Sequence, residues 1–117
     1  MNTFSPQWID QSLCVTAQVQ PEDVPAFAAA GMRSIINNRP DFEGGADQPT
    51  SAQLKAAARA VGLEYGYLPV PPAGHTPEQA RSMVSAFDDL PQPVVAFCRT
   101  GRRSAALYRM GMGKDKE

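Results

Sequence analysis

The residues best suited to chemistry form a short run around one cysteine. Cys98 is followed by Arg99, Arg102 and Arg103, and the apolar residues 94–97 precede it. This pattern predicts a buried strand, a glycine-containing loop and the start of a helix. Such a helix start directs backbone N–H groups and its dipole at the loop. Because this positive surrounding stabilises a thiolate, we expect Cys98 to be a nucleophile beside a bound anion.

The elements around this loop predict an α/β fold with a mainly parallel sheet and helices on both faces. Alternating or continuous apolar residues predict strands over residues 12–18, 32–37, 63–70 and 94–97. Capping residues and prolines predict helices between 21 and 31, 50 and 62, and 76 and 91. In such sheets, sites lie at the carboxyl ends of the strands, where we expect loops 37–41 and 98–103 to meet.

Composition sets broad limits on the function. We predict a single domain over residues 1–110 and a flexible tail over 111–117, with oligomeric state open. The net charge of −1 and the lack of a long apolar stretch argue against nucleic-acid and membrane partners. Two cysteines and no apparent signal peptide predict a reducing cytoplasm. The spacing of histidine, cysteine and carboxylate residues predicts no metal, and we expect no cofactor.

The cysteine loop resembles the loops of two groups of cysteine enzymes. Tyrosine and dual-specificity phosphatases carry C-x-x-G-x-x-R, usually after a histidine, whereas rhodanese-type sulfurtransferases carry a loop one residue shorter. Here the arginine is Arg103 and the next residue is Ser104, so the loop length favours the sulfurtransferase pattern. Phe97 occupies the position before the cysteine.

Motifs in the rest of the chain resemble a bacterial family, DUF442, also called the phosphatase-like domain of beta-lactamase hydrolase-like proteins. They lie at residues 35–41, 57–65, 68–70, 98–101 and 103–104. The resemblance covers roughly residues 5–107 and implies a cysteine-dependent phosphatase-like fold. Because members are labelled either phosphatase or sulfur transferase, the resemblance implies cysteine chemistry without choosing between the two.

The residues suggest how either reaction proceeds. Cys98 attacks phosphorus or a sulfane sulfur, while the loop N–H groups and the planar fork of Arg103 hold the anion. The predicted anion-binding residues are Arg99, Thr100, Gly101, Arg102, Ser104 and Arg39. A phosphatase also needs a proton donor. Asp41 is the candidate, because it follows a strand end, with Glu43 and Asp47 weaker.

The leading hypothesis is therefore a phosphatase-like hydrolase that acts on a small anionic, phosphoryl-bearing substrate through a covalent thiol intermediate. The alternatives are a sulfurtransferase that carries a Cys98 persulfide, and a non-catalytic anion-binding module. Arg39 and Asp41 could instead form a simple loop ion pair. His75 is expected beside a turn or helix cap, with a site-rim position as the alternative, and Cys14 is expected in the core.

Overall fold

The computed structural model describes residues 6–73 and 75–113, in which strands and helices alternate largely as predicted. The elements, in chain order, are β1 (Gln7–Trp8), β2 (Leu13–Thr16), a 3₁₀ turn (Pro21–Asp23), α1 (Val24–Ala29), β3 (Ser34–Asn37), α2 (Ser51–Ala60), β4 (Glu64–Tyr67), α3 (Pro77–Asp88), β5 (Val94–Phe97) and α4 (Arg102–Gly111). No helix within these two ranges is long and apolar enough to cross a membrane.

The strands form one sheet in the order β1-β2-β5-β3-β4. Strands β2, β5, β3 and β4 are parallel, with Ile35 of β3 opposite Val95 of β5. Strand β5 is central, and all four of its side chains are fully buried, which explains its continuous apolar sequence. The short antiparallel strand β1 was not predicted, because its two residues are exposed and carry no alternating pattern.

Helices cover both faces of the sheet, as the sequence predicts. Val94 and Ala96 face a core built with α3 and α4, while Val95 and Phe97 face a core built with α1 and α2. The alternation follows from the two-residue period of a strand. Each fully buried apolar side chain contributes about 1.5–3 kcal/mol relative to its exposed state, so the two cores fix β5 and the loop that follows it.

Two of the three predicted helix starts are confirmed by capping hydrogen bonds, whereas the segment predicted to open a helix at residue 21 begins as a 3₁₀ turn and becomes α-helical only at Val24. The Thr50 hydroxyl accepts from the backbone N–H of Gln53 at 3.2 Å, and the Thr76 hydroxyl accepts from that of Gln79 at 3.1 Å.

Helix α4 continues to Gly111, which is one residue into the predicted C-terminal tail. A side chain at Gly111 would place its Cβ 2.5 Å from the Ala80 carbonyl oxygen, so a glycine allows α4 to pack against α3. Residues 114–117 of that tail lie outside the described residues.

Candidate active site

The loop that joins β5 to α4 lies at the carboxyl end of the sheet. Cys98 is 1% exposed, and Gly101 occupies the N-cap position of α4 with φ +94°, a left-handed conformation that favours glycine. A Cβ at Gly101 would lie 3.2 Å from the Thr16 carbonyl oxygen of β2. Glycine is therefore required both by the backbone angle and by the close approach of the neighbouring strand.

The surroundings of Cys98 favour its ionised form. Burial raises the pKa of the thiol, but hydrogen bonds outweigh burial and lower it, chiefly those from the backbone N–H groups of Ser104 and Thr100, with a further one from the Gly101 N–H. The Gly101 N–H lies 3.1 Å from Sγ. These donors belong to the loop and the first turn of α4, so the predicted strand-loop-helix pattern does provide thiolate stabilisation without a histidine at position 97.

A buried asparagine, Asn38, accepts the hydrogen bond of the Ser104 hydroxyl close to this thiolate. Ser104 Oγ donates to Asn38 Oδ1 at 2.7 Å, and Asn38 Nδ2 donates to the Leu68 carbonyl oxygen at 3.0 Å. A hydroxyl carries a single proton, so Ser104 must turn away from Asn38 before it can donate to Sγ. Sequence analysis missed Asn38, whose position directly after β3, beside β5, was the available signal.

The second cysteine, Cys14, lies in the core as predicted. It is fully buried on the face of α1 and α2, and its Sγ lies 3.7 Å from Met32 Sδ. Burial raises its pKa to about 12, and a backbone hydrogen bond lowers it only in part. The two thiols of this chain therefore differ in the direction of their pKa shifts.

Alkylation by iodoacetamide as a function of pH is expected to separate the two thiols. The thiolate is the reactive form, so a lowered pKa moves the midpoint of Cys98 alkylation below the free-thiol value of about 8.5. Cys14 should stay unmodified across the same pH range, because its pKa is raised. Mass spectrometry of each cysteine peptide measures both reactions in one sample.

Two glycine variants provide a matched test of the loop donors. Gly101→Ala should raise the Cys98 midpoint, because the strained loop withdraws the Gly101 N–H from Sγ. Gly31 has nearly the same φ, +93°, but a Cβ there would meet nothing within 4 Å. Gly31→Ala therefore carries a similar conformational cost and should leave the midpoint unchanged. Equal shifts in both variants would contradict the role assigned to the loop.

Arg103 is almost completely buried and is held by three hydrogen bonds. Its Nη1 and Nη2 donate to the two carboxylate oxygens of Glu43 at 3.1 Å each, and Nη1 also donates to the Val70 carbonyl oxygen at 2.9 Å. A guanidinium has five N–H donors. These bonds leave the Nε–H and one Nη2–H, which together form a planar fork suited to an oxyanion.

Glu43 joins the two arginines that the sequence placed in separate loops. Arg39 Nε donates to Glu43 Oε2 at 2.9 Å, and Arg39 Nη1 donates to the Gln18 side chain. Burial raises the pKa of Glu43, but hydrogen bonds and charge from Arg103 and Arg39 outweigh it and hold that pKa below its ordinary value. Glu43 is thus a positioning carboxylate and is unsuited to the proton-donor role that the sequence allowed.

Asp41 lies at the start of α2. Its Oδ1 accepts from the Ser51 backbone N–H at 2.7 Å, and its own N–H donates to the Tyr67 hydroxyl at 2.9 Å. Arg39 pairs with Glu43, so the alternative of an Arg39–Asp41 ion pair was wrong for the described part of the chain. Asp41 as a general acid stays a prediction, and the carboxylate's observed contacts are those of a helix cap.

A cavity of about 390 Å³ opens above Cys98. It is lined by Pro72, His75, Cys98, Arg99, Thr100, Arg102, Arg103 and Ala106. An adjoining cavity of about 470 Å³ is lined by Arg39, Glu43, Gly44, Pro72, Arg99 and Arg103. The structure therefore brings the thiol together with four of the predicted arginines, whereas Asp41 is not among the described residues that line either cavity.

The lining is rich in positive charge and poor in metal ligands. Within residues 6–73 and 75–113, no group of three or more histidine, cysteine or carboxylate side chains could hold a metal ion. Cationic side chains around a buried thiolate instead form a setting that attracts an anion and presents a nucleophile to it.

Comparison with known proteins gives consistent matches over nearly the whole chain. The family model described as "Beta-lactamase hydrolase-like protein, phosphatase-like domain" matches residues 7–114. The Beta-lactamase hydrolase-like protein of Agrobacterium fabrum is 36% identical over 107 residues, which are 92% of this chain and 25% of that protein. The chain thus spans about a quarter of the curated relatives it matches.

Two solved structures extend the likeness to the fold. The first is nma1982, a candidate phosphatase of Neisseria meningitidis, with a TM-score of 0.79, 30% identity, and coverage of 85% of this chain and 70% of that chain. The second is the core catalytic domain of the PP-IP phosphatase SIW14 of S. cerevisiae, with a TM-score of 0.64, 11% identity, and coverage of 93% and 76%. These likenesses confirm the predicted phosphatase-like α/β fold.

Proposed function

The chain belongs to the phosphatase-like domain family of the beta-lactamase hydrolase-like proteins, and we propose that it is a cysteine-dependent phosphatase. The observation that carries this proposal is the pairing of Cys98, whose pKa is lowered, with Arg103 in the lining of one cavity. The proposed substrate is a small phosphate monoester, since the cavity offers cations and N–H donors to a phosphoryl group.

The proposed reaction has two steps on the same sulfur. In the first, the Cys98 thiolate attacks phosphorus, the bond from phosphorus to the ester oxygen breaks, and that oxygen takes a proton from a general acid and leaves as the alcohol. In the second, water attacks the thiophosphoryl group and returns one proton to the same acid, the phosphorus–sulfur bond breaks, and monohydrogen phosphate leaves while the thiolate is restored. The free fork of Arg103 and the N–H groups of the loop bind the phosphoryl oxygens in both steps.

A second candidate is favoured by the length of the loop. Arg103 follows Cys98 one residue earlier than in the phosphatase pattern, and sulfur transfer to a soft acceptor requires no proton donor. In that reaction the thiolate takes the outer sulfur of thiosulfate, which releases sulfite and leaves a persulfide. Cyanide then removes this sulfur as thiocyanate and restores the thiolate. We rank this candidate second, because the family and the fold are both phosphatase-like.

A paired assay of the wild-type chain decides between the two candidates. One reaction contains 4-nitrophenyl phosphate, and the other contains thiosulfate and cyanide. We expect nitrophenol and phosphate in the first and no thiocyanate above the enzyme-free rate in the second. Thiocyanate without phosphate would replace the proposal by sulfur transfer. If neither product forms but calorimetry detects phosphate binding, the site is an anion-binding module without catalytic activity.

A further inference from the structure

A second cavity, of about 470 Å³, adjoins the cavity above Cys98. The two cavities share three lining residues, which are Pro72, Arg99 and Arg103. A phosphoryl group bound at Cys98 therefore lies beside the second cavity, and the rest of its substrate can extend into that cavity. The side chains of the second wall then select which substrates bind well.

Among the described lining residues, Arg39 is the cation found only in the second cavity, and its guanidinium is held in place. Nε donates to Glu43 Oε2 at 2.9 Å, and Nη1 donates to Gln18 Oε1 at 3.0 Å. Nη2 lies against Gly44, where an added Cβ would be 2.6 Å away. The Arg39 side chain is only 11% exposed. A guanidinium held on three sides loses little conformational entropy when it binds a ligand.

This guanidinium keeps donors for a ligand. Of its five N–H groups, Nε–H and one Nη1–H are used, which leaves the second Nη1–H and both Nη2–H groups without a partner in the described part of the chain. Arg99, on the wall that the two cavities share, is exposed and forms no ion pair with any described residue. Pairs of guanidinium N–H groups match the two oxygens of a carboxylate.

The charges of the two walls favour a ligand group with a single negative charge. Four arginines line the two cavities among the described residues, and Glu43 already pairs with two of them, Arg39 and Arg103. The Cys98 thiolate and a phosphoryl dianion balance most of the remaining positive charge. A carboxylate therefore suits the second cavity better than a second phosphate does.

Resting on the phosphatase function proposed above, we propose that the substrate is a phosphate monoester that carries a carboxylate, which Arg39 and Arg99 bind in the second cavity. The carboxylate takes no part in bond making or breaking at Cys98. It holds the ester in the orientation in which the thiolate can attack phosphorus. Arg39 is thus a residue that determines specificity, and its loss should act on kcat/KM for carboxylated esters above all.

The test uses pairs of aryl phosphates that differ in this one charge. The 3- and 4-carboxyphenyl phosphates are compared with the corresponding carboxamides, which are neutral and of nearly the same shape. For the isomer that spans the two cavities, kcat/KM of the wild-type chain should favour the acid by about 10- to 100-fold, as expected for hydrogen bonds to a charged group. Arg39→Gln should bring this ratio of acid to amide close to one.

Two further variants separate a binding site from a general positive field. Arg102 lines the cavity of the nucleophile and is not among the described residues that line the second cavity, so Arg102→Gln removes the same charge and should keep the ratio. Gly44→Ala keeps every charge, but its Cβ displaces the flexible end of Arg39 and should lower the ratio. Gly44→Ala also provides the test if Arg39→Gln does not fold.

Each other outcome has a distinct meaning. Equal kcat/KM for acid and amide with both isomers would overturn the carboxylate site and leave the phosphatase function in place. An equal fall of the ratio in Arg39→Gln and Arg102→Gln would also overturn it, because positive potential alone would then explain the preference. A preference of more than twofold for a phenylene bisphosphate over the acids would contradict the choice of a carboxylate. If the phosphatase function itself fails, the wild-type chain hydrolyses none of these esters, and this proposal fails with it.

Discussion

Replacing Cys98 with serine is expected to lower kcat for aryl phosphate hydrolysis by at least about 10³-fold, in line with nucleophile removal in other covalent enzymes. The physical reason is the protonation state of the attacking atom. Hydrogen bonds from the loop stabilise a thiolate at Cys98, whereas a serine hydroxyl stays protonated near neutral pH. Release of 4-nitrophenol under saturating substrate measures the effect.

The matched control is the other cysteine. Cys14 is fully buried in the core between the sheet and helices α1 and α2. The substitution Cys14→Ala therefore removes a thiol of raised pKa that does not line the cavity. It should keep kcat within a few-fold of wild type, with a lower melting temperature from the lost packing. Phosphate binding should survive in Cys98→Ser, since the loop N–H groups and Arg103 remain. Undiminished hydrolysis in Cys98→Ser would remove the thiol from the mechanism.

Local sequence patterns were sufficient to predict the frame that positions the nucleophile. The continuous apolar residues of β5 predicted a central buried strand, and Gly101 after Cys98 predicted the turn into α4. Both features depend on neighbours within a few residues, which is the range over which hydrophobic period and helix capping act. Phosphorus or sulfur chemistry did not follow from the same patterns, because the two enzyme groups share this frame.

The side-chain contacts that shape the site could not be predicted from local sequence patterns. Glu43 lies 60 residues from Arg103 in the chain, and Asn38 lies 66 residues from Ser104. Parallel strands bring these pairs to one edge of the sheet, and no spacing rule within a single element encodes that proximity. Sequence analysis predicted a site-rim position for His75 only as the alternative to a turn or helix cap, because its place on the cavity wall depends on how the β4–α3 segment packs over the loop.

The strongest consequence of this packing concerns Arg103 itself. Arg103→Lys is expected to lower kcat/KM for an aryl phosphate by about 10²- to 10³-fold, the range seen when an oxyanion donor is removed. An ammonium group is a point charge, so it cannot bond both Glu43 oxygens end-on while it presents a second planar edge to the phosphoryl group. Because lysine keeps the positive charge of arginine, the expected loss of kcat/KM comes from the changed geometry of the hydrogen-bond donors.

Arg102→Lys is the matched control, because Arg102 is the exposed neighbour in the same turn of α4 and lines the same cavity. Its effect should stay within about tenfold, as expected for a screened surface cation. Glu43→Gln should reproduce part of the Arg103→Lys loss, since a neutral amide holds the guanidinium less firmly than a carboxylate does. Equal losses in Arg102→Lys and Arg103→Lys would show that the cavity uses positive potential alone, and the proposed fork on Arg103 would then have no role.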